Sequence, residues 1–443
     1  MSTIAAISTP VGAGGIGIIR VSGEDALRIA DAIFVCKGKG GTAEKLSANP
    51  LKLCFGDFVA EDFRDRGYAV YFPADKAYTG ETTVEFYLHG GVRVMRGALD
   101  EIIKRGAQPA GKGEFTKRAF LSGKMSLADA EGVADMINAE SAAGLRAAYR
   151  LMDGSVSRRI NAIADALLDV ITGLEAVLDY PDETEDEVLP PLEAELEAVL
   201  ADINGLLATA RQGRIAKHGI TAVLVGAPNA GKSSLMNALL GEDRAIVTDI
   251  AGTTRDTLEG SFECDGVRVN LIDTAGLRES DDVVESEGIE RAVKAAKGAD
   301  VVMRVVDTTA PNPDFSAYDF EGVRQFTVRT KCDLTSYACP RMYGCFAVSA
   351  KDNVGIDGLR RALAALYAEG TVEGGEIITS ERHVSALYRA KNAIESAIVS
   401  VGGTVDCTLI DLREAYDALS EITGRTATEA VVDNIFSKFC VGK

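Results

Sequence analysis

One short stretch constrains this chain more than any other: Gly226-Ala-Pro-Asn-Ala-Gly231-Lys232-Ser233. It fits the pattern G-x-x-x-x-G-K-[ST], follows the apolar run Ala222-Val-Leu-Val225 and leads into the helix-forming Ser234-Leu-Met-Asn-Ala-Leu-Leu240. A strand, a glycine-rich turn and a helix in that order make a phosphate-binding loop. The glycines let successive backbone N–H groups face inward, and the helix N-terminus adds positive potential. Lys232 is long enough to reach the β- and γ-phosphates, and the Ser233 hydroxyl is suited to ligate Mg2+. Asn229, Ala230, Gly231 and Ser234 complete the phosphate-facing turn. A purely structural glycine turn is the competing explanation, and the strand and helix on either side disfavour it.

The neighbouring sequence has the same character. From about 215 to 368, the β-like runs Thr221–Val225, Val267–Ile272, Asp300–Val306, Gln325–Arg329 and Cys345–Val348 alternate with helical segments. That alternation predicts a doubly wound, mostly parallel sheet with helices on both faces. Cys264-Asp265-Gly266 ahead of Val267 signals a hairpin and one antiparallel edge strand. Polar elements then follow in order. Thr253-Thr254 lies in a polar loop, where a threonine can complete the Mg2+ shell. In Asp273-Thr274-Ala275-Gly276 the aspartate can hold the metal through water and the glycine N–H can sense a γ-phosphate. In Thr330-Lys331-Cys332-Asp333, Asp333 can accept both N–H donors of guanine, which adenine cannot supply. Ser349-Ala350-Lys351 completes the base pocket. Each element is weak alone, but together and in this order they predict a site for GTP and Mg2+. Thr330 replaces the asparagine of the usual N-K-x-D, which weakens that residue's bridging hydrogen bonds and leaves Asp333 in place. Leu277 follows Gly276, where Ras-type enzymes place a glutamine that orients water. Leucine cannot do so, which leaves an arginine-finger protein or a bound monovalent cation to supply the missing polar group. Arg255 is equally readable as a phosphate contact or a surface residue.

With 443 residues, of which 47% are hydrophobic, the chain is expected to form two to four domains with real cores. Residues 1–118 mix the β-like runs Thr3–Ile7, Ile16–Val21 and Val84–Leu88 with glycine turns and one or two helices, an α+β domain. Residues 119–214 are Ala/Leu-rich with helical periodicity, as in Ala128–Ile137 and Ile160–Val177. The acidic run Pro181-Asp-Glu-Thr-Glu-Asp-Glu187 reads as a solvated loop between helices. Residues 215–375 form the G domain, closed by the linker-like Glu369–Gly375, and 376–443 return to helix. The expected architecture is multidomain α/β: an N-terminal α+β domain and a discontinuous all-α domain into which the P-loop G domain is inserted.

A net charge of −19 argues against a broad basic footprint for nucleic acid. Lys104, Arg105, Lys112, Lys117, Arg118 and Lys124 lie close in sequence and read equally well as solvated surface or as a local basic patch. No apolar run approaches the roughly 18–20 residues of a membrane span, and no secretory signal is visible. Eight cysteines without a C-x-x-C pair predict reduced thiols in a cytoplasmic protein. Three histidines give little basis for a histidine metal site, and His89 reads as structural. Gly12-Ala-Gly-Gly-Ile-Gly17 matches the dinucleotide pattern G-x-G-x-x-G, but the strand-like Ile18-Ile-Arg-Val21 follows where a helix is needed. An NAD site is therefore rejected in favour of a glycine turn.

Longer stretches carry a resemblance over essentially the whole chain. They are Thr3-Ile-Ala-Ala-Ile-Ser-Thr-Pro-Val-Gly-Ala-Gly-Gly-Ile-Gly-Ile-Ile-Arg20-Val-Ser-Gly23, Tyr78-Thr-Gly-Glu81, His89-Gly-Gly91, Gly113-Glu-Phe-Thr-Lys-Arg-Ala-Phe120, Ala245-Ile-Val-Thr-Asp-Ile-Ala-Gly-Thr-Thr-Arg-Asp256 and Phe439-Cys-Val-Gly-Lys443. The chain resembles the MnmE (TrmE) family of tRNA-modification GTPases. The resemblance implies an N-terminal folate-binding domain through which two copies form a homodimer. It implies a complex, a heterotetramer or larger, with the FAD-dependent protein MnmG. Together these install a (carboxymethyl)aminomethyl group at carbon 5 of the wobble uridine of certain tRNAs. The one-carbon unit comes from 5-formyl- or methylene-tetrahydrofolate. By similarity Arg20, Glu85, Lys124 and Lys443 contact the folate. By similarity K+ is held by Asn229 and by oxygens of Thr248, Ile250 and Thr253, where an arginine finger otherwise places its charge. Glu285 matches the water-positioning glutamate, with Glu287 the alternative two positions on. Cys440 lies in the terminal C-x-G-K motif, and a thiolate there can add to carbon 6 of uracil and activate carbon 5. The alternative is an Era- or Der-like switch in ribosome assembly. Such proteins share the G domain and a hydrophobic residue after Asp-Thr-Ala-Gly, and lack both the N-terminal domain and the terminal Cys-Val-Gly-Lys.

Overall fold

The computed structural model describes residues 2–38, 42–241, 260–273, 297–311, 320, 322–335, 344–368, 375–401 and 403–443. The chain divides into two compact units, one of residues 1–137, 150–203 and 385–443, the other of 138–149 and 204–384.

The first unit opens with β1 (Ile4–Ile7), β2 (Gly17–Ser22), α1 (Ala26–Ile33), β3 (Phe34–Lys37), β4 (Ala43–Glu44), β5 (Cys54–Val59), β6 (Arg64–Phe72), β7 (Thr83–Leu88), α2 (Val92–Lys104), β8 (Gln108–Pro109) and α3 (Glu114–Leu121). Its sheet runs β4-β3-β5-β6-β7-β2-β1-β8, antiparallel except where β8 joins β1. The apolar stripes of α1 (Ile29, Ala30, Ile33) and α2 (Met95, Ala98, Ile102) pack into one core with Phe34, Phe58 and Phe86 of the sheet. At about 1.5–3 kcal/mol for each fully buried large side chain, this core fixes the strands that carry the N-terminal site. Among the described residues three helices form here, one more than the sequence texture suggests: α3 is short and partly polar, so its periodicity is weak.

The helical region follows as α4 (Leu127–Asn138), α5 (Ala142–Met152), α6 (Ser155–Asp179) and α7 (Pro181–Ala208). Along α6, Ile160, Ile163, Ala164, Leu167, Ile171 and Leu174 recur at helical spacing and are buried. The acidic run at 181–187 is not a loop: it is the start of α7, and only Tyr180, at φ −137°, separates the two helices. Proline is favoured at the first helical position and acidic residues favour the positive end of the helix dipole. The composition that suggested a solvated loop therefore marks a helix start.

The second unit contains α8 (Ala210–His218), β9 (Ile220–Val225), α9 (Lys232–Leu240), β10 (Gly260–Cys264), β11 (Val267–Asp273), β12 (Val301–Asp307), β13 (Arg324–Thr330), β14 (Cys345–Ala347) and α10 (Ile356–Ala368). The sheet order is β10-β11-β9-β12-β13-β14, with every pair parallel except β10–β11. The β10–β11 turn places Asp265 at φ 52° and Gly266 at φ 76°. Both are left-handed, as a two-residue turn matched to strand twist requires. Leu235 and Leu239 of α9 and Leu359 and Leu363 of α10 close a core over Leu224, Leu271, Met303 and Val328. The linker-like stretch at 369–375 lies outside the described residues apart from Gly375.

The chain ends in α11 (Glu381–Ser400), α12 (Val405–Thr423) and α13 (Glu429–Ser437). Helix α12 packs along α6, with Arg413 donating to Glu175 at 2.7 Å and Arg425 to Asp165 at 2.8 Å. Helix α13 packs on α3 through Phe436 and Phe120 and through Lys117 donating to Asp433 at 2.6 Å. The helical layer is thus built from two segments, with the nucleotide-type fold inserted between them in sequence. No helix among the described residues is long and apolar enough to cross a membrane.

Candidate functional site

Strand β9 delivers the phosphate loop from a rigid base, since Ala222–Val225 are fully buried. At Gly226 the backbone runs so close to the Val305 carbonyl that a Cβ would collide with it. Asn229 at φ 61° and Gly231 at φ 92° flank Ala230 in left-handed conformations. Such winding turns successive N–H groups to one side and forms an anion-binding nest, and α9 begins at once with Lys232. The buried Lys232 ammonium donates to the Gly226 and Ala227 carbonyls at 2.8 and 2.9 Å, which holds it over the loop. Ser233 and Ser234 lie in the first turn of α9. Asp273, buried, ends β11 in register with Leu224 of β9, beside the loop. Thr248, Ile250, Thr253, Thr254, Thr274, Ala275, Gly276, Leu277 and Glu285 lie outside the described residues.

The base-reading elements stand on the next strand ends. After β13, Lys331 turns left-handed (φ 57°) into a short 3-10 turn, Cys332–Leu334, which leaves Asp333 exposed. The Lys331 ammonium donates to Asp307 Oδ2 at 2.6 Å and to the Asn229 carbonyl at 3.2 Å. The Asp307 carboxyl is pulled down to about 2, first by Lys331 and then by the hydroxyl and N–H of Thr309, so it stays ionised. The Cys332 N–H donates to the Val348 carbonyl at 3.3 Å, which brings Ser349, Ala350 and Lys351 alongside. The buried Ser349 hydroxyl accepts the Asp352 N–H at 3.2 Å, and its backbone pairs with Val354. Phosphate loop, Asp273, Asp333 and Ser349 therefore share the carboxyl ends of parallel strands, where open α/β sheets bind ligands. Asp307 and Thr309 carry no motif, and their only sequence signal is that a β-run ends there.

A second site lies in the first unit. Arg20 of β2 and Glu85 of β7 are cross-strand partners, joined by a 2.8 Å hydrogen bond and only 19% and 13% exposed. The Arg20 guanidinium sits 5.5 Å from the ring centres of both Tyr78 and Phe115, within cation–π range. Tyr87 donates to the other Glu85 oxygen at 2.7 Å, and burial together with that carboxylate pushes its phenol up to about 12. Burial also raises the Tyr78 phenol, whose oxygen is 3.0 Å from Thr116 Oγ1. The last residues of the sequence meet the start of α3: Phe115 N–H donates to the Lys443 carbonyl at 3.2 Å and Gly113 N–H to the Cys440 carbonyl at 3.3 Å. Arg20 thus links Glu85 to the Tyr78 and Phe115 rings, and the Lys443 carbonyl meets the backbone of Phe115. Lys124 is on the flank, exposed, with its ammonium on the Asp75 carbonyl at 2.7 Å. Cys440 is exposed. Tyr78 and Phe115 belong to the stretches that carried the resemblance, but nothing local to them announced a shared pocket.

The basic cluster resolves largely as paired charge. Lys104 bonds Glu61, Arg105 bonds Glu101, and Lys117 bonds Asp433. Buried Arg118 holds Glu81 and Glu114, each at 2.8 Å, as well as the Ser2 carbonyl.

A nested phosphate loop, a buried lysine over it and a carboxylate-bearing base loop, all on one sheet edge, define a P-loop GTPase. The model described as "MnmE helical domain" matches residues 127–440, and that described as "GTP-binding protein TrmE N-terminus" matches 3–124. A tRNA modification GTPase MnmE of Thermus thermophilus is 42% identical over 447 residues, covering 99% of this chain and 98% of that one. The same-named protein of Laribacter hongkongensis is 41% identical over 453 residues, covering 100% and 99%. The chain belongs to the MnmE (TrmE) family. Among solved structures, the FeoB G-domain of Methanococcus jannaschii matches 34% of this chain and 98% of its own length at 23% identity and a TM-score of 0.26. Era of Aquifex aeolicus bound to GDP.AlF4- matches 39% and 66% at 24% identity and a TM-score of 0.27.

Proposed function

We propose that this GTPase drives modification of tRNA: with an FAD-dependent MnmG partner and a folate, it installs a (carboxymethyl)aminomethyl group at carbon 5 of the wobble uridine. The observation that carries the folate part is the junction of Arg20, Glu85, Tyr78 and Phe115 with the Cys440–Lys443 segment. The donor set fits that ligand. Glu85 suits the N–H groups of a pterin, and Arg20, Lys124 and Lys443 suit glutamyl carboxylates. The aromatic rings offer walls to a flat heterocycle. When bound, 5-formyl- or methylene-tetrahydrofolate supplies the one-carbon unit, while these residues bind and orient it. Cys440, exposed in the same segment, is the candidate nucleophile toward carbon 6 of uracil.

In the nucleotide site, Ser233 and Thr254 would hold Mg2+, with Asp273 acting through water. Asn229 would hold K+ together with oxygens of Thr248, Ile250 and Thr253, and Glu285 would position the attacking water. A homodimer joined through the N-terminal domains and a cytoplasmic location belong to the same reading. The Era- or Der-like alternative is disfavoured, because the relatives match from end to end and not over the G domain alone.

Arg20→Ala should weaken tetrahydrofolate binding about tenfold or more, the loss of charge-assisted hydrogen bonds worth about 1.5–3 kcal/mol. GTP affinity, read on the same preparation, should not move. Unaltered folate binding in a titration would count against the pocket.

A further inference from the structure

In the N-terminal site a second residue of β7, Tyr87, holds the Glu85 carboxylate. We propose that Tyr87 is a positioning residue of this site, whose hydroxyl fixes the plane of the Glu85 carboxylate so that it meets a ligand edge carrying two adjacent N–H donors. The proposal rests on the reading of this pocket as a folate site, and a pterin has such an edge in its ring N–H and exocyclic amine.

Glu85 and Tyr87 share the outer face of β7, while Val84, Phe86 and Leu88 face the core. Tyr87 Oη donates to Glu85 Oε2 at 2.7 Å, and Arg20 Nε donates to Glu85 Oε1 at 2.8 Å. The backbone beneath is fixed. Tyr87 is in register with Ile18 of β2 and Tyr68 of β6, and at Gly67 a Cβ would collide with the Tyr87 carbonyl. Burial first, and then the Glu85 carboxylate, push the Tyr87 phenol up to about 12. At neutral pH it therefore keeps its proton and is the donor to Glu85.

A carboxylate has two oxygens and about four lone-pair directions. Arg20 takes one direction on Oε1, and Tyr87 takes one on Oε2. One direction on each oxygen is left, which matches an edge of two parallel N–H groups. The torsion that orients a carboxylate is broad and two-fold, so one donor alone does not set its plane. Without the Tyr87 hydroxyl, Arg20 is the remaining donor to Glu85, and the ligand must itself order the carboxylate. The cost then falls on binding, and it exists only while Glu85 is present.

The test is a double-mutant cycle in the full-length protein: Tyr87→Phe, Glu85→Ala and both together. Calorimetric titration with 5-formyl-tetrahydrofolate gives the Kd, and binding of a fluorescent GDP analogue to the same preparations reports that the chain is folded. Tyr87→Phe should raise the folate Kd about fivefold, and Glu85→Ala about tenfold or more. In the Glu85→Ala background, Tyr87→Phe should change the Kd by less than about twofold. If Tyr87→Phe does not fold, Tyr87→Leu carries the same expectation. A phenylalanine or leucine variant with the parental Kd, or a loss that persists undiminished without Glu85, overturns the positioning role. If Glu85→Ala also leaves folate binding unaltered, the pocket assignment fails first; if Glu85→Ala weakens binding while Tyr87→Phe does not, only the role of Tyr87 fails.

Discussion

Asp333→Asn should cost the chain its preference for guanine and transfer that preference to xanthine. The carboxylate of Asp333 is placed on an exposed turn held by Lys331 and by Cys332. As an acceptor-only group it can take both the ring N–H and the exocyclic amine of guanine. Xanthine carries an oxygen where guanine carries that amine, so the carboxylate repels it. An asparagine reverses the pattern, because its amide donates to the xanthine oxygen and still accepts the ring N–H. Sites that hydrogen-bond a substrate group discriminate strongly against analogues lacking it, because buried polar groups are left unpaired. The expected loss in GTP affinity is about a hundredfold to a thousandfold, with a gain for XTP of similar size. Competition binding of GTP and XTP to parent and variant reads both. A variant that still prefers GTP would show that Asp333 does not read the base.

Replacing K+ by Na+ should lower GTP turnover about a hundredfold, the scale on which one preorganised charge-stabilising group acts. Leu277 cannot orient a water, so charge developing on the γ-phosphate needs another partner. Asn229 is exposed at the phosphate loop, left-handed at φ 61°, with its backbone carbonyl pinned by Lys331. That places an amide side chain at the edge of the nest, where a monovalent cation would offset phosphate charge. A shell sized for K+ is too wide for Na+, so exchange should act on kcat and leave GTP binding within about twofold. Equal turnover in the two salts would exclude the cation as a catalytic element.

The G domain was readable because its signals are local. Each strand of the parallel sheet is a short apolar run, each functional loop follows one, and Cys264-Asp265-Gly266 encodes its own turn. The helical layer was readable in α6 for the same reason. The acidic run at 181–187 misled because charge and proline are shared by solvated loops and by helix starts, and only the length of the helix behind them separates the two. The N-terminal site was visible through resemblance and not through local pattern. Arg20 and Glu85 meet because β2 and β7 pair in one register, and Lys443 arrives from the other end of the sequence. No window of sequence holds such pairings. The same holds for the Thr330 hydroxyl and the Ala230 carbonyl, hydrogen-bonded at 2.6 Å from residues 100 apart in sequence.

Nucleoside analysis of bulk tRNA from cells lacking the chain tests whether this GTPase serves wobble-uridine modification. The (carboxymethyl)aminomethyl group at carbon 5 should be lost from wobble uridine and return when the intact chain is restored. Wobble uridines modified to the normal level without the chain would exclude that role.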